Sequence, residues 1–142
     1  MNVKHSVALV IRDTARPGMV LLVQRPDDDE DLPGVWGLPA ATLRDGETSR
    51  AAARRAGRDK LGVELEIGGV LNGGGRDRGP YRLEMQLMAA RIRSGALHTG
   101  SDATDGTTRY QAWRWGRVAE LTAAADRGSL CSRLALEARL DE

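Results

Sequence analysis

Near the start of the chain, apolar residues cluster in two short blocks, Val3 to Arg12 and Met19 to Val23, whose composition suits extended backbone. Between them Asp13 to Gly18 carries Pro17 and Gly18, which favour a turn, so the blocks predict a hairpin with a buried first strand. The acidic run Asp27, Asp28, Asp29, Glu30, Asp31 is too charged to pack and ends at Pro33 and Gly34, which predicts a solvated loop, with a cation site as the alternative. From Thr48 to Leu61 the chain is rich in alanine and arginine, and Gly62 is placed to stop it, which predicts a helix. Two more strands are expected at Val63 to Leu71 and Tyr81 to Ile92, joined by a glycine-rich loop, Asn72 to Pro80, and another at Thr108 to Trp115. The tail, Arg117 to Asp126 and Ser129 to Leu140, has apolar residues at helical spacing, with Leu130, Leu134 and Leu136 facing inward.

Strands interleaved with helices predict an α/β fold, and 142 residues suit one domain with one continuous core. Lys and Arg number 21 against 20 Asp and Glu, so the field of the whole molecule argues for no nucleic-acid or membrane partner and any anion site must be local. The longest apolar run, Val7 to Ile11, falls far short of the roughly 20 residues that span a bilayer. The single cysteine, Cys131, can form no internal disulfide, and no basic segment followed by an apolar one opens the chain, so a cytoplasmic location is expected. His5 and His98 stand in no metal-ligand spacing, and no nucleophile motif is present.

The stretch Ala41 to Val63 resembles a Nudix box, the pattern G-x5-E-x7-R-E-U-x-E-E-x-G-U in which U is a bulky aliphatic residue. Glu47, Arg55, Gly62 and Val63 match it without a gap, while Ala41, Ala56, Gly57, Asp59 and Lys60 replace the other signature residues. Gln24, Arg25 and Pro26, then Trp36, Leu38 and Pro39, stand where Nudix proteins commonly carry such residues. The resemblance implies an α/β/α sandwich with a mixed β-sheet, and an activity on the diphosphate linkage of a nucleoside diphosphate joined to another group. It also implies magnesium or manganese, held by box carboxylates, as the cofactor.

Positions 56, 59 and 60 are separated by steps of three and four, so on a helix they share a face. In the resembled family three carboxylates there hold the metal; here Ala56, Asp59 and Lys60 bring the formal charge from minus three to zero. A cation on one short carboxylate beside an ammonium would be held weakly, because like unit charges about 4 Å apart repel by some 4 kcal/mol at an effective dielectric of 20. Asp59 and Glu47 are the remaining candidate ligands and, with Glu84 from outside the box, the candidate catalytic carboxylates. Glu47 and Arg55 also read as a structural pair tying the loop to the helix, and Asp59 as a surface partner of Arg55.

Gly57 removes bulk from the helix, and a neighbour such as Met85, Met88 or a tryptophan is expected to fill the space, unless the pocket is enlarged for a different ligand. Lys60, Arg78 and Arg82 are the candidate substrate-binding residues, and Arg76 joins them around the glycine-rich loop. Trp113 and Trp115 share a strand face and read as packing residues. Three functions stay open: an atypical hydrolase; an inactive nucleotide-binding or sensor protein with Lys60 as counter-charge to phosphate; and a scaffold subunit, with a homodimer as a possible assembly.

Overall fold

In a computed structural model, residues 2–99 and 109–140 are described. The first strand, β1 (Asn2–Arg12), is central: it pairs antiparallel with β4 (Ala40–Thr42) on one side and parallel with β6 (Tyr81–Gly95) on the other. Strand β5 (Val63–Asp77) pairs antiparallel with β6 and completes a four-stranded mixed sheet in the order β4-β1-β6-β5. A second, antiparallel sheet has β2 (Val20–Gln24) between β3 (Trp36–Gly37) and β7 (Ala112–Gly116).

The two side-chain sets of β1 face different layers. Val7, Leu9 and Ile11 pack with Ala52, Ala53, Ala56 and Leu61 of α1 (Ser49–Leu61). Ala8 and Val10 pack with Val118 and Leu121 of a 3-10 turn (Val118–Leu121) and with Leu130 and Leu134 of the last helix. The short helix α2 (Thr122–Asp126) leads into that last helix, α3 (Leu130–Glu137). Helices on both faces of a mixed sheet make an α/β/α sandwich, the architecture expected. Among the described residues no helix is long and apolar enough to cross a membrane.

Helix α1 has the limits its sequence encodes. Thr48 accepts a hydrogen bond on its side chain from the Ala51 N–H (3.1 Å), and Gly62 ends the helix in the left-handed region at φ 72°, its N–H bonding back to the Gly57 carbonyl. The tail holds the two expected helical stretches, and α3 stops at Glu137.

Three expectations are corrected. Strands β1 and β2 form no hairpin, because both edges of β1 are taken by β4 and β6 and the turn at Asp13 to Gly18 carries the chain into the other sheet. Alternation along a strand reports which faces are buried, not which strand lies alongside. The glycines after Leu71 lie within β5, whose pairing runs to Asp77 opposite Arg82, so the connecting loop is only Arg78 to Pro80. Glycine weakens a strand without forbidding it, and here Gly73, Gly74 and Gly75 pair in regular register with Gln86, Met85 and Glu84. Finally, β7 begins at Ala112; Thr108 lies outside the described residues, and Tyr110 and Gln111 precede the strand.

Candidate functional site

A cavity of about 670 Å³ opens where the start of β1, strand β4, the end of α1, the loop after β2 and the beginning of β6 meet. That size suits a small-molecule ligand. Its wall holds Lys4, Arg25, Arg44, Arg55, Lys60 and Arg78, with Glu30 and Asp31 as its carboxylates.

Lys60 is the central element. The register of α1 turns it inward, and it is only 7% exposed, with Nζ donating to the Ala40 carbonyl at 2.6 Å. Its ammonium also lies 5.3 Å from the centre of the Tyr110 ring. The Tyr110 hydroxyl holds that carbonyl in place, accepting from the Ala40 N–H (2.9 Å) and donating to the Ala40 oxygen (3.2 Å). One carbonyl and one ring face leave two of the three ammonium protons without an acceptor among the described residues, and no carboxylate pairs with it. A desolvated cation in that condition favours an anion.

The neighbouring cations are differently placed. Arg55 grips Glu47 through Nε and Nη2, both at 2.9 Å, and donates to the Thr42 carbonyl at 2.8 Å. Glu47 also accepts from the Arg44 N–H at 3.0 Å. The Arg55 hydrogen bond is the main cause that lowers the Glu47 carboxyl from its ordinary 4.5 to about 2. Arg25 is bidentate with Asp29 (2.9 and 3.0 Å). Burial pushes the Asp29 carboxyl up, but Arg25 and the Leu32 N–H outweigh it and hold it below the usual range.

The remaining candidates lie apart from this centre. Asp59 is exposed and forms no part of the cavity wall. Arg82 and Glu84 bond to each other at 2.5 Å, each more than a third exposed. Tyr81, Leu83 and Met85 of β6 line the cavity, so the alternation of the strand puts Arg82 and Glu84 on its other face. Arg76 donates to the Gly128 carbonyl near α3. Arg78 does line the cavity, and its buried Nε has no hydrogen-bond partner among the described residues. Of these candidates the cavity wall therefore holds Lys60 and Arg78, and Asp59, Glu47 and Glu84 do not converge on it.

A divalent cation does not fit this box. Ala56 has no donor atom, Asp59 faces solvent, Glu47 is committed to Arg55, and an ammonium stands where the last glutamate would be. Among the described residues no group of three or more His, Cys, Asp or Glu is placed to hold a metal. The space beside Gly57 is filled by Leu65, whose Cγ and Cδ1 would lie 2.7 Å from a Cβ there; Met85 and Met88 are not the filling residues. The enlargement entertained at that point is absent.

Trp115 packs partly buried against the core, while Trp113 is 37% exposed. Sequence reasoning passed over Tyr110, Lys4 and Arg44 as site residues. Lys4 carried a usable signal, since it shares the cavity-facing parity of Ser6 on β1.

Relatives agree with this architecture. The model of the NUDIX domain matches residues 3–134, and the chain belongs to that family. No protein of the curated set matches it by sequence. The MutT NUDIX hydrolase of Burkholderia pseudomallei superposes with a TM-score of 0.74 at 23% identity, over 98% of this chain and 99% of that one. The E. coli ORF135 protein gives 0.68 at 25% identity, covering 99% and 93%. An ADP-ribose pyrophosphatase of Streptococcus suis gives 0.62 at 18% identity, covering 98% and 93%.

Proposed function

We propose that this Nudix-family protein binds a diphosphate-containing nucleotide compound in the cavity, with the Lys60 ammonium supplying the positive charge that a metal supplies elsewhere in the family. The observation that carries the reading is Lys60 itself: 7% exposed, facing the cavity, and hydrogen-bonded to a single carbonyl. The likeness to an ADP-ribose pyrophosphatase supports a ligand of this class. Phosphate oxygens would accept the two remaining ammonium protons.

Calorimetric titration with ADP-ribose, ADP and inorganic pyrophosphate, in EDTA and again in magnesium, tests this. Binding is expected in EDTA, and Lys60→Met is expected to weaken it by about ten- to a hundredfold, the scale of a lost charged hydrogen bond. Binding that needs magnesium, with turnover abolished by Asp59→Asn, would overturn the reading in favour of a metal-held hydrolase.

One observation favours a second reading. Glu30 and Asp31 face the same cavity, so a hydrolytic activity would draw its carboxylates from the acidic loop rather than from the box. Glu30→Gln with Asp31→Asn would then abolish turnover while leaving pyrophosphate affinity in place.

A further inference from the structure

Three of the cavity's cations, Lys60, Lys4 and Arg78, fall into two sets. At one end Lys60 reaches the Ala40 carbonyl, and Ala40 lies opposite Ala8 in the β1·β4 ladder. At the other end, Lys4 of the same strand β1 lies 4.4 Å over the Tyr81 ring, and Tyr81 stands opposite Asn2. Arg78 joins this second set: its N–H bonds to the Tyr81 carbonyl at 2.9 Å, which fixes the β5–β6 turn beside Tyr81. Lys4 and Ala8 are four residues apart on one extended strand, a backbone separation of roughly 13 Å. Between them the wall carries Ser6, Leu83 and Met85, and Arg55, paired with Glu47, bonds to the Thr42 carbonyl at the level of Ser6.

Both ends hold cations without a carboxylate partner among the described residues. Arg25 and Arg55 are neutralised by Asp29 and Glu47, whereas Lys4, Lys60 and Arg78 take part in none of the ion pairs. Arg78 is the stronger sign at the far end, because it lines the cavity and its buried Nε has no hydrogen-bond partner among the described residues. A buried guanidinium N–H without an acceptor is costly, and an anionic oxygen is the group that satisfies it.

We propose that the ligand carries a second anionic group, on the order of 13 Å from the first along the extended strand, received by Arg78 and Lys4. The ligand class is thus a two-ended anion, a diphosphate at Lys60 and a further phosphate or carboxylate at Arg78, joined by a spacer. This rests on the binding reading above and adds a length requirement to it. A compound with a single phosphate cluster fills one end only.

Titration with inorganic pyrophosphate and with a graded series of straight-chain α,ω-alkanediol bisphosphates, all in EDTA, separates the two statements. Affinity is expected to pass through a maximum when the phosphates span roughly 13 Å, about tenfold or more above the shortest member. Arg78→Met removes that maximum and leaves pyrophosphate binding unchanged, whereas Lys60→Met weakens pyrophosphate and bisphosphates alike. If pyrophosphate binds through Lys60 but affinity is flat across the series, the second subsite is refuted and the binding reading stands. If pyrophosphate does not bind at all while the protein melts cooperatively, the binding reading itself is lost.

Discussion

Two basic residues of the box are buried in opposite circumstances. Arg55 is satisfied internally by Glu47 and Thr42, whereas Lys60 has one carbonyl and a ring face. The first is a brace and the second is available to a ligand. Because folding holds the Glu47 carboxyl at about 2 instead of 4.5, the pair adds stability that is complete above about 4.5 and disappears as pH falls toward 2. Glu47→Gln should therefore cost roughly 3 kcal/mol at neutral pH, by leaving a buried guanidinium half-paired, and should flatten the acid limb of a stability-against-pH curve measured by urea unfolding. The sequence exposed the charge reversal at Lys60, since position 60 could be read against the box pattern. It did not expose what surrounds the ammonium, because Tyr110 and Ala40 come from distant parts of the chain and meet only through the sheets.

At the level of elements, what was legible was local. Thr48 and Gly62 mark the limits of α1 because capping chemistry acts within one turn. The fit of α1 on β5 was not legible, since Gly57 meets Leu65 across an interface that no local pattern encodes. Alanine at position 57 gains about 1 kcal/mol of helix propensity but places a methyl group 2.7 Å from a buried leucine. Gly57→Ala is thus expected to destabilise by about 1 kcal/mol net, overpacking outweighing propensity. In a Leu65→Ala background the same change should stabilise, and a double-mutant cycle from thermal or urea melts would show the sign reverse. The strand partners were illegible for a related reason: β1 and β2 carry the right apolar runs, but turn residues between them say only that the chain changes direction.

For the whole molecule, a net charge of +1 hides a strongly polarised interior surface. Six cations line the cavity against two carboxylates, Glu30 and Asp31, and Arg25 and Arg55 among them pair with Asp29 and Glu47. Ligand affinity should accordingly fall as sodium chloride rises from low to physiological concentration, more steeply for bisphosphates than for a monophosphate, and pyrophosphate should raise the melting temperature equally with and without EDTA. Fold class was readable because periodicity and capping suffice for it; the cavity was not, since it is made where a parallel strand pair brings residues 4 and 81 together. That pairing also governs how the chain is built. The parallel edge of β1 is filled by Tyr81 to Arg91, so that edge stays unpaired until the nascent chain has grown some eighty residues beyond it. Assembly is therefore late and closing, governed by long-range encounter, and the half-made chain is the form most prone to associate with its own kind.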